Sequence, residues 1–276
     1  MRLQNKIAVV TGAASGFGEG IARRFAAEGA QVVVADINEA AGRRVTADIL
    51  AEGGAASFVP VDVASDASMS ALLKETLNAC GGVDIVVNNA GITHRNRPML
   101  EVEEAEFDRI FAVNVKSIYL SARHFVPQFR KGGGGVFVNI ASTAAVRPRP
   151  GLTWYNGTKG AVVVISKSMA VELAPDNIRV NCVNPVLGAT GLMESFIGSA
   201  DSPQVRQKFM ATIPLGRLST RQYALVSKQG ALGEIFTQKI GCSQRRCFTQ
   251  CRWFAKLFER LFNHLIKGGN RLFNRR

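Results

Sequence analysis

The chain has 276 residues, 47% of them hydrophobic and 20% charged, with a formal net charge of +13. That length suits one large α/β domain able to bury a substantial core. No apolar run approaches the roughly 20 residues that a membrane span needs, and five cysteines, an odd number, give no disulfide framework. The basicity is unevenly placed. Residues 221–276 carry twelve Lys/Arg against Glu234 and Glu259, a net +10, which leaves an ordinary +3 for the first 220 residues.

The N-terminus runs almost directly into an apolar, β-branched stretch, Lys6 to Thr11, that reads as a buried strand. This leaves no room for a signal peptide, so a reducing cytoplasm is the expected location. The next residues are Thr11-Gly12-Ala13-Ala14-Ser15-Gly16-Phe17-Gly18, followed by a helical pattern through Ile21, Ala22, Phe25 and Ala26. A Gly-rich turn between strand and helix lets backbone N–H groups approach a pyrophosphate at the positive helix end. A second strand, Gln31 to Ala35, ends at Asp36, where a carboxylate is placed to bond the ribose hydroxyls of an adenosine. Together these elements point to a dinucleotide site, although a Gly spacing alone is often a tight turn and Asp36 alone a strand-ending residue.

Further strands are expected at Ala56 to Val61, Val83 to Val87, Val136 to Ile140 and Ile178 to Val183, alternating with helical patterns. Four glycines, Gly132 to Gly135, form the turn before the fifth strand. Such alternation implies right-handed βαβ crossovers, hence a doubly wound, mostly parallel sheet covered on both faces.

Within one of the helical stretches, residues 155–159 read Tyr-Asn-Gly-Thr-Lys. Positions i and i+4 share a helix face, so the Tyr155 phenol and the Lys159 ammonium can serve one site. A cation beside the phenol is expected to pull its pKa from about 10 towards neutrality. The product is a proton donor and acceptor for carbonyl reduction or alcohol oxidation. Alone, such a pair is more often two surface neighbours.

The order and spacing of these motifs resemble the short-chain dehydrogenase/reductase family from about residue 3 to about residue 219. The Gly turn resembles its T-G-x-x-x-G-x-G pattern and Tyr155 with Lys159 its Y-x-x-x-K. Asp62-Val63 follows the third strand, Asn88-Asn89-Ala90-Gly91 the fourth, Asn114 falls in a helical stretch, and Ser142 closes the fifth strand. The resemblance implies that Asp62 and Val63 hold the adenine and that Asn89 and Gly91 line the cofactor channel. It makes Tyr155 the general acid/base, with Lys159 lowering its pKa and bonding the nicotinamide ribose. It has Ser142 orient the substrate oxygen and Asn114 hold a water in a proton relay. Each has a plainer alternative: Asn88 pinning strands together, Ser142 a strand-end hydroxyl, Asn114 a helix kink. The implied activity is interconversion of an alcohol and a carbonyl by hydride transfer with a nicotinamide cofactor.

Charge argues for NAD over NADP. Asp36 repels a 2′-phosphate, Ile37 and Asn38 supply no cation, and Ser15 stands where phosphate-preferring relatives often have a basic residue. Arg43 and Arg44 are expected to face solvent. The substrate is less legible. Its mouth is expected at Thr93 to Leu100, Ala144 to Thr153 and beyond Pro185. The loop arginines Arg95, Arg97, Arg147 and Arg149 suit an anionic or polyhydroxylated substrate, or are simply solvated. After Pro185 the chain reads Val-Leu-Gly-Ala-Thr, with Val186 where most relatives have Gly. Gly188 is grouped with the cofactor-binding residues, and Thr190 resembles a carboxamide contact. Gly191 to Ile213 is expected to form a helical lid closed by residues 214–217. The resemblance includes sugar or polyol dehydrogenases and 3-oxoacyl reductases without separating them.

From about residue 220 the resemblance stops, so the expected organisation is a catalytic domain over 1–219 and an atypical basic tail over 220–276. The family's last helix and strand are missing from the sequence there. One reading is a frameshifted or replaced C-terminus with no selected function, favoured by the sharp break, the charge jump and three of the five cysteines falling in it. Another is a basic amphipathic helix through Trp253, Phe254, Leu257, Phe258, Leu261, Phe262, Leu265 and Ile266. Such a helix suits an anionic membrane surface, a partner groove or the enzyme's own sheet edge. A third, salt-dependent nucleic-acid binding, rests on the basic surplus alone. Neither membrane surface nor nucleic acid is the favoured partner; a small-molecule alcohol or carbonyl is. Cys242, Cys247, Cys251 and His264 match no common zinc spacing, and no metal is expected. The resemblance implies a homotetramer, which this tail puts in doubt together with stability, since a missing strand leaves a sheet edge open. The alternative to an active enzyme is a cofactor-binding but catalytically impaired protein that interacts through its tail.

Overall fold

The computed structural model describes residues 1–186, 188, 190–199, 202–210 and 218–219. Six strands form one parallel sheet: β1 (Ile7–Thr11), β2 (Gln31–Asp36), β3 (Ala55–Pro60), β4 (Ile85–Asn88), β5 (Gly135–Ile140) and β6 (Ile178–Val183). Their spatial order is β3-β2-β1-β4-β5-β6. The chain therefore winds outward from β1 to β3, then crosses back to β4 and winds the other way. The reversal between β1 and β4 opens a crevice at the carboxyl ends of the strands, where α/β folds bind ligands.

Side chains of a strand alternate between faces, and both faces are covered here. Val9 and Val33 join one core with Met69 and Leu72 from α3 (Asp66–Cys80) and Phe125 and Phe129 from α5 (Ser117–Lys131). Ala8, Val10, Val32 and Val34 join the opposite core with Ile21 and Ala22 from α1 (Gly16–Ala27) and Val45 and Ile49 from α2 (Glu39–Ala51). This two-sided burial is why the strands read as continuous apolar runs rather than alternating ones. Phe129 meets Phe137 edge-on at 5.0 Å between centroids, a geometry worth about 1 kcal/mol beyond area burial.

The expected strands are all present, shifted by a residue or two. β4 begins at Ile85 rather than Val83 because Asp84 is a linking residue: its carboxylate accepts from Ile7 N at 2.8 Å and Lys6 Nζ at 3.0 Å. Asn88 does pin strands, its amide donating to Asn139 Oδ1 at 2.8 Å, and Asn139 in turn to Ser166 Oγ at 2.9 Å. Asn114 lies in a five-residue π turn, Ala112–Lys116, between α4 (Glu104–Phe111) and α5. The long helix α6 (Thr153–Glu172) carries Tyr155 and Lys159. The expected lid holds two short helices, α7 (Met193–Ile197) and α8 (Pro203–Met210).

Among the described residues no strand pairs with the outer edge of β6, no helix is long and apolar enough to cross a membrane, and no group of side chains is placed to hold a metal. Residues 211–217 and everything expected of 220–276, the domain boundary included, lie outside the described residues.

Candidate active site

A cavity of about 730 Å³ crosses the carboxyl ends of the strands. Its wall includes Gly12, Ser15, Gly16, Phe17, Asp36, Asp62, Val63, Asn89, Gly91, Ser142, Tyr155, Lys159, Gly188 and Thr190, so most of the residues singled out in the sequence share one space. Gly18 and Asn114 stand behind the wall. A Cβ on Gly18 would sit 2.0 Å from the Gly12 carbonyl, so its role is close packing of α1 under the turn.

The Gly turn is held by β4. Asn89 Nδ2 donates to Thr11 O at 2.9 Å and Gly12 O at 3.1 Å, and Thr11 Oγ1 accepts from the Asn89 and Ala90 amides. Gly12 has φ +64°, and a Cβ there would lie 2.8 Å from Ala90 Cα; only glycine fits this conformation and this approach. Asp36 accepts from Ala14 N at 2.9 Å and Asn38 N at 2.9 Å, which fixes its carboxylate at the cavity rim. Asp62 is fixed similarly through Ala64 N at 2.9 Å.

Arg44 is exposed, as expected, and from the surface it also bonds Ala14 O, Glu19 and Asp48. The cause is Glu19, a carboxylate buried in the first turn of α1 that draws both Arg23 and Arg44. Arg43 is exposed too, over the Phe58 ring at 5.4 Å.

At the other end lie Ser142, Tyr155 and Lys159. Ser142 caps a short 3-10 turn, its Oγ accepting from Ala144 N at 3.1 Å, and it hydrogen-bonds Tyr155. Lys159 Nζ donates to Ile140 O at 2.9 Å and lies 5.9 Å from the Tyr155 ring centroid. The expected lowering of the phenol pKa is not what this geometry gives. Burial pushes Tyr155 up to about 12, outweighing the Ser142 hydrogen bond, and burial brings Lys159 down to about 8. Both charged forms lose water here, and an ammonium this far from the ring does not compensate the phenolate.

Asn114, inside the π turn, ties three segments. Its Oδ1 accepts from Ile92 N at 2.9 Å, and its amide donates to Ile92 O at 2.9 Å and Thr158 Oγ1 at 3.0 Å. Thr158 Oγ1 donates to Tyr155 O at 2.7 Å, so the segment after β4 is coupled to the helix turn bearing the tyrosine.

The mouth arginines separate into distinct uses. Arg97 pairs with Glu106 and Arg95 donates to Gly198 O at 3.0 Å, both holding the frame. Arg149 lines the cavity and Arg147 stays exposed. Burial, and then the neighbouring Arg147, lower the Arg149 pKa from its usual value. Sequence reasoning missed Arg109, Ile92, Leu192 and Phe196 in the wall. It also missed Asn96 and Asn156, whose amides bind loop carbonyls.

Residues 12–224 match the family model described as enoyl-(acyl carrier protein) reductase. A 4-formylbenzenesulfonate dehydrogenase of Comamonas testosteroni is 48% identical over 219 residues, 79% of this chain and 87% of that protein. The chain belongs to the short-chain dehydrogenase/reductase family. Other relatives of this oxidoreductase include a cyclopentanol dehydrogenase of Comamonas sp., 36% identical over 78% of this chain and 85% of its own. Among solved structures, a 3-ketoacyl-(acyl-carrier-protein) reductase from Brucella melitensis, complexed with NADH, superimposes with a TM-score of 0.74. It is 46% identical and covers 80% of this chain and 87% of its own. The parallel sheet and the cavity at its switch point are thus those of a nicotinamide-dependent family.

Proposed function

We propose that the protein interconverts a small-molecule alcohol and its carbonyl compound with NAD(H), with Tyr155 as general acid/base. The observation that carries this reading is the convergence of Ser142, Tyr155 and Lys159 on the same cavity as the Gly turn and Asp36. The residues fit a dinucleotide: Gly12 and Gly16, both at positive φ, bring bare backbone to the cavity wall, helix α1 points its N-terminus at the turn, and Asp36 offers carboxylate oxygens at the rim. Gly12, Ser15, Gly16 and Phe17 would hold the pyrophosphate side, Asp36, Asp62 and Val63 the adenosine, and Asn89, Gly91, Gly188 and Thr190 the nicotinamide side, with Gly18 seating the turn. A bound nicotinamide would supply or take the hydride.

The protein's own task is the proton. Tyr155 is a phenol held protonated well above neutral pH, suited to donating to a carbonyl oxygen in reduction. Ser142 bonds the same hydroxyl region and orients the substrate oxygen. Lys159, its pKa brought down to about 8 by burial, is held by Ile140 O and would bond the nicotinamide ribose. Asn114 holds the Ile92 segment and α6 together and stands beside the lysine as the relay position. NAD is favoured over NADP because Asp36 opposes a 2′-phosphate and Arg44 is engaged by Glu19, Asp48 and Ala14 O. Members of this family typically oligomerise, and a homo-oligomer is expected.

Spectrophotometric turnover with Tyr155→Phe tests the proposal. The variant should lose about 10²–10⁴-fold in kcat while its NADH affinity in a fluorescence titration stays within about twofold of wild type. A variant with full rate would refute the mechanism.

A further inference from the structure

We propose that Asn96 is a positioning residue that sets how large a substrate this cavity takes, by holding the end of α7 so that Phe196 covers Tyr155. The inference rests on the reading above for the position of the reacting oxygen at Tyr155.

Charge locates the substrate end. The charged residues of the cavity wall divide by sign: Asp36 and Asp62 at the β2 and β3 end, Arg109, Arg149 and Lys159 on the β4 to β6 side. Tyr155 belongs to the basic side, where its own surroundings are apolar. Ala144, Leu152 and Tyr155 form a buried cluster against which Phe196 packs, and the Phe196 ring meets the Tyr155 ring edge-on at 5.1 Å and 77°. Phe196 also lines the cavity, so its place against the phenol fixes the room left for a substrate body beside the reacting oxygen.

Helix α7 cannot hold that place by itself. It has five residues, Met193–Ile197, and no side-chain cap at its start, and so short a helix has little stability of its own. Buried Met193 anchors its beginning. The last carbonyls of a helix have no partner within it, and Asn96 supplies partners for two of them. The Asn96 N–H donates to Ser195 O at 2.8 Å and Nδ2 donates to Phe196 O at 3.3 Å.

The same side chain reaches the opposite wall. Its Nδ2 carries two hydrogens, and the second goes to Pro150 O at 3.1 Å, in the loop that leads into α6 and Tyr155. Two glycines shape the slot. A Cβ on Gly198, at φ +80°, would lie 2.8 Å from Asn96 O, and a Cβ on Gly151, at φ +75°, would collide with Asn96 Oδ1. The flanking residues repeat the link: Arg97 N donates to Gly151 O at 3.1 Å and Arg95 Nε to Gly198 O at 3.0 Å. Aspartate would fill the slot but has no hydrogen for either carbonyl. Asn96 thus bolts the segment presenting Phe196 to the loop that precedes the catalytic helix, and the wall facing the phenol stays where selective binding needs it.

Calorimetric titration of the full chain, saturated with NADH, with benzyl alcohol and with naphthalen-2-ylmethanol tests this assignment. Wild type should bind the smaller alcohol at least about tenfold more tightly. Asn96→Ala should weaken benzyl alcohol about fivefold and leave the larger alcohol no weaker, with NADH affinity unchanged within about twofold. Asn96→Asp should behave alike, and it decides the matter if the alanine variant folds poorly. Phe196→Ala should also narrow the preference, and adding Asn96→Ala to it should change the preference by no more than about twofold. An asparagine with a structural role alone would add its effect to that of Phe196→Ala. Equal binding of the two alcohols by wild type, no binding of either, an unchanged preference in the Asn96 variants, or additive effects would overturn the proposal. Oxidation of benzyl alcohol with NAD separates the readings. Size-selective, Asn96-dependent binding without turnover would sink the hydride-transfer reading alone, and turnover without size preference would sink the Asn96 assignment alone.

Discussion

The acidic and basic halves of the cavity are built in different ways. In the acidic half the fixing bonds run to backbone groups of the turns that follow the strands: Asp36 accepts from the amides of Ala14 and Asn38, Asp62 from that of Ala64, and Asn89 donates to the carbonyls of Thr11 and Gly12. In the basic half they join loop to loop, Asn96 to Pro150 and to Phe196, and Arg95 to Gly198. The first half is a property of the sheet and its turns. The second is a property of side chains that hold loops together, and can be altered without disturbing the sheet.

The largest test of this contrast is Gly12→Val. It forces a branched side chain into φ +64° and against Ala90 Cα, and should weaken NADH binding by about 100-fold or more, on the order of 3 kcal/mol. A fluorescence titration giving wild-type affinity would mean that the acidic half is softer than its geometry implies.

Lys159→Met probes the seam between the halves through stability. The folded pKa of Lys159 is about 8 against an ordinary 10.5, so between these values the unfolded chain binds more protons and wild-type stability rises with pH. The methionine variant should therefore hold its greatest relative advantage below pH 8, on the order of 3 kcal/mol before the lost bond to Ile140 O is subtracted. That advantage should shrink towards pH 10.5. Urea unfolding of both proteins at pH 7, 9 and 10.5 measures it, and a pH-independent difference would contradict the burial of the ammonium. Turnover should be lost in the same variant.

Asp36→Asn removes the rim charge while keeping the shape. The ratio of NADPH to NADH dissociation constants should fall by about tenfold, measured by paired titrations; no change would remove Asp36 from cofactor selection. The smallest effect belongs to Asn96→Ala. Loss of its bonds to Pro150 O and Phe196 O should cost the basic half about 1 kcal/mol, seen as a KM raised about fivefold with little change in NADH affinity. Equal losses in both would show that the two halves are not independent.

This division also explains what was legible in the sequence. Gly12, Asp36, Tyr155 and Lys159 lie in short motifs whose neighbours in the chain are also neighbours in space, so strand and helix periods locate them. All six strands were readable for the same reason, with Asp84 hiding the start of β4 by acting as a link. The bonds that exposed Arg44 makes were not readable, because Glu19, one of its partners, is 25 residues away. Phe196 and Asn96 carried no local signal, since their importance depends on loops that meet only after folding. The Tyr155 pKa was misjudged because spacing reports that two groups share a helix face, not how much water each has lost.

The π turn at Ala112–Lys116 has a consequence for how this chain tolerates change in length. Successive residues of an α-helix are about 100° apart around its axis, and a π turn accommodates one residue beyond the α-helical repeat. Deleting a single residue there would let α4 and α5 merge into an unbroken helix. Arg109 at the cavity rim and the buried face of α5, with Phe125 and Phe129, would then stay close to their present phase, because the residue removed is the extra one. The turn works as a spacer that absorbs one residue between a helix set by the cavity and a helix set by the core. A one-residue deletion at this point is thus a smaller insult than one within α5, which would turn every residue beyond it by about 100°.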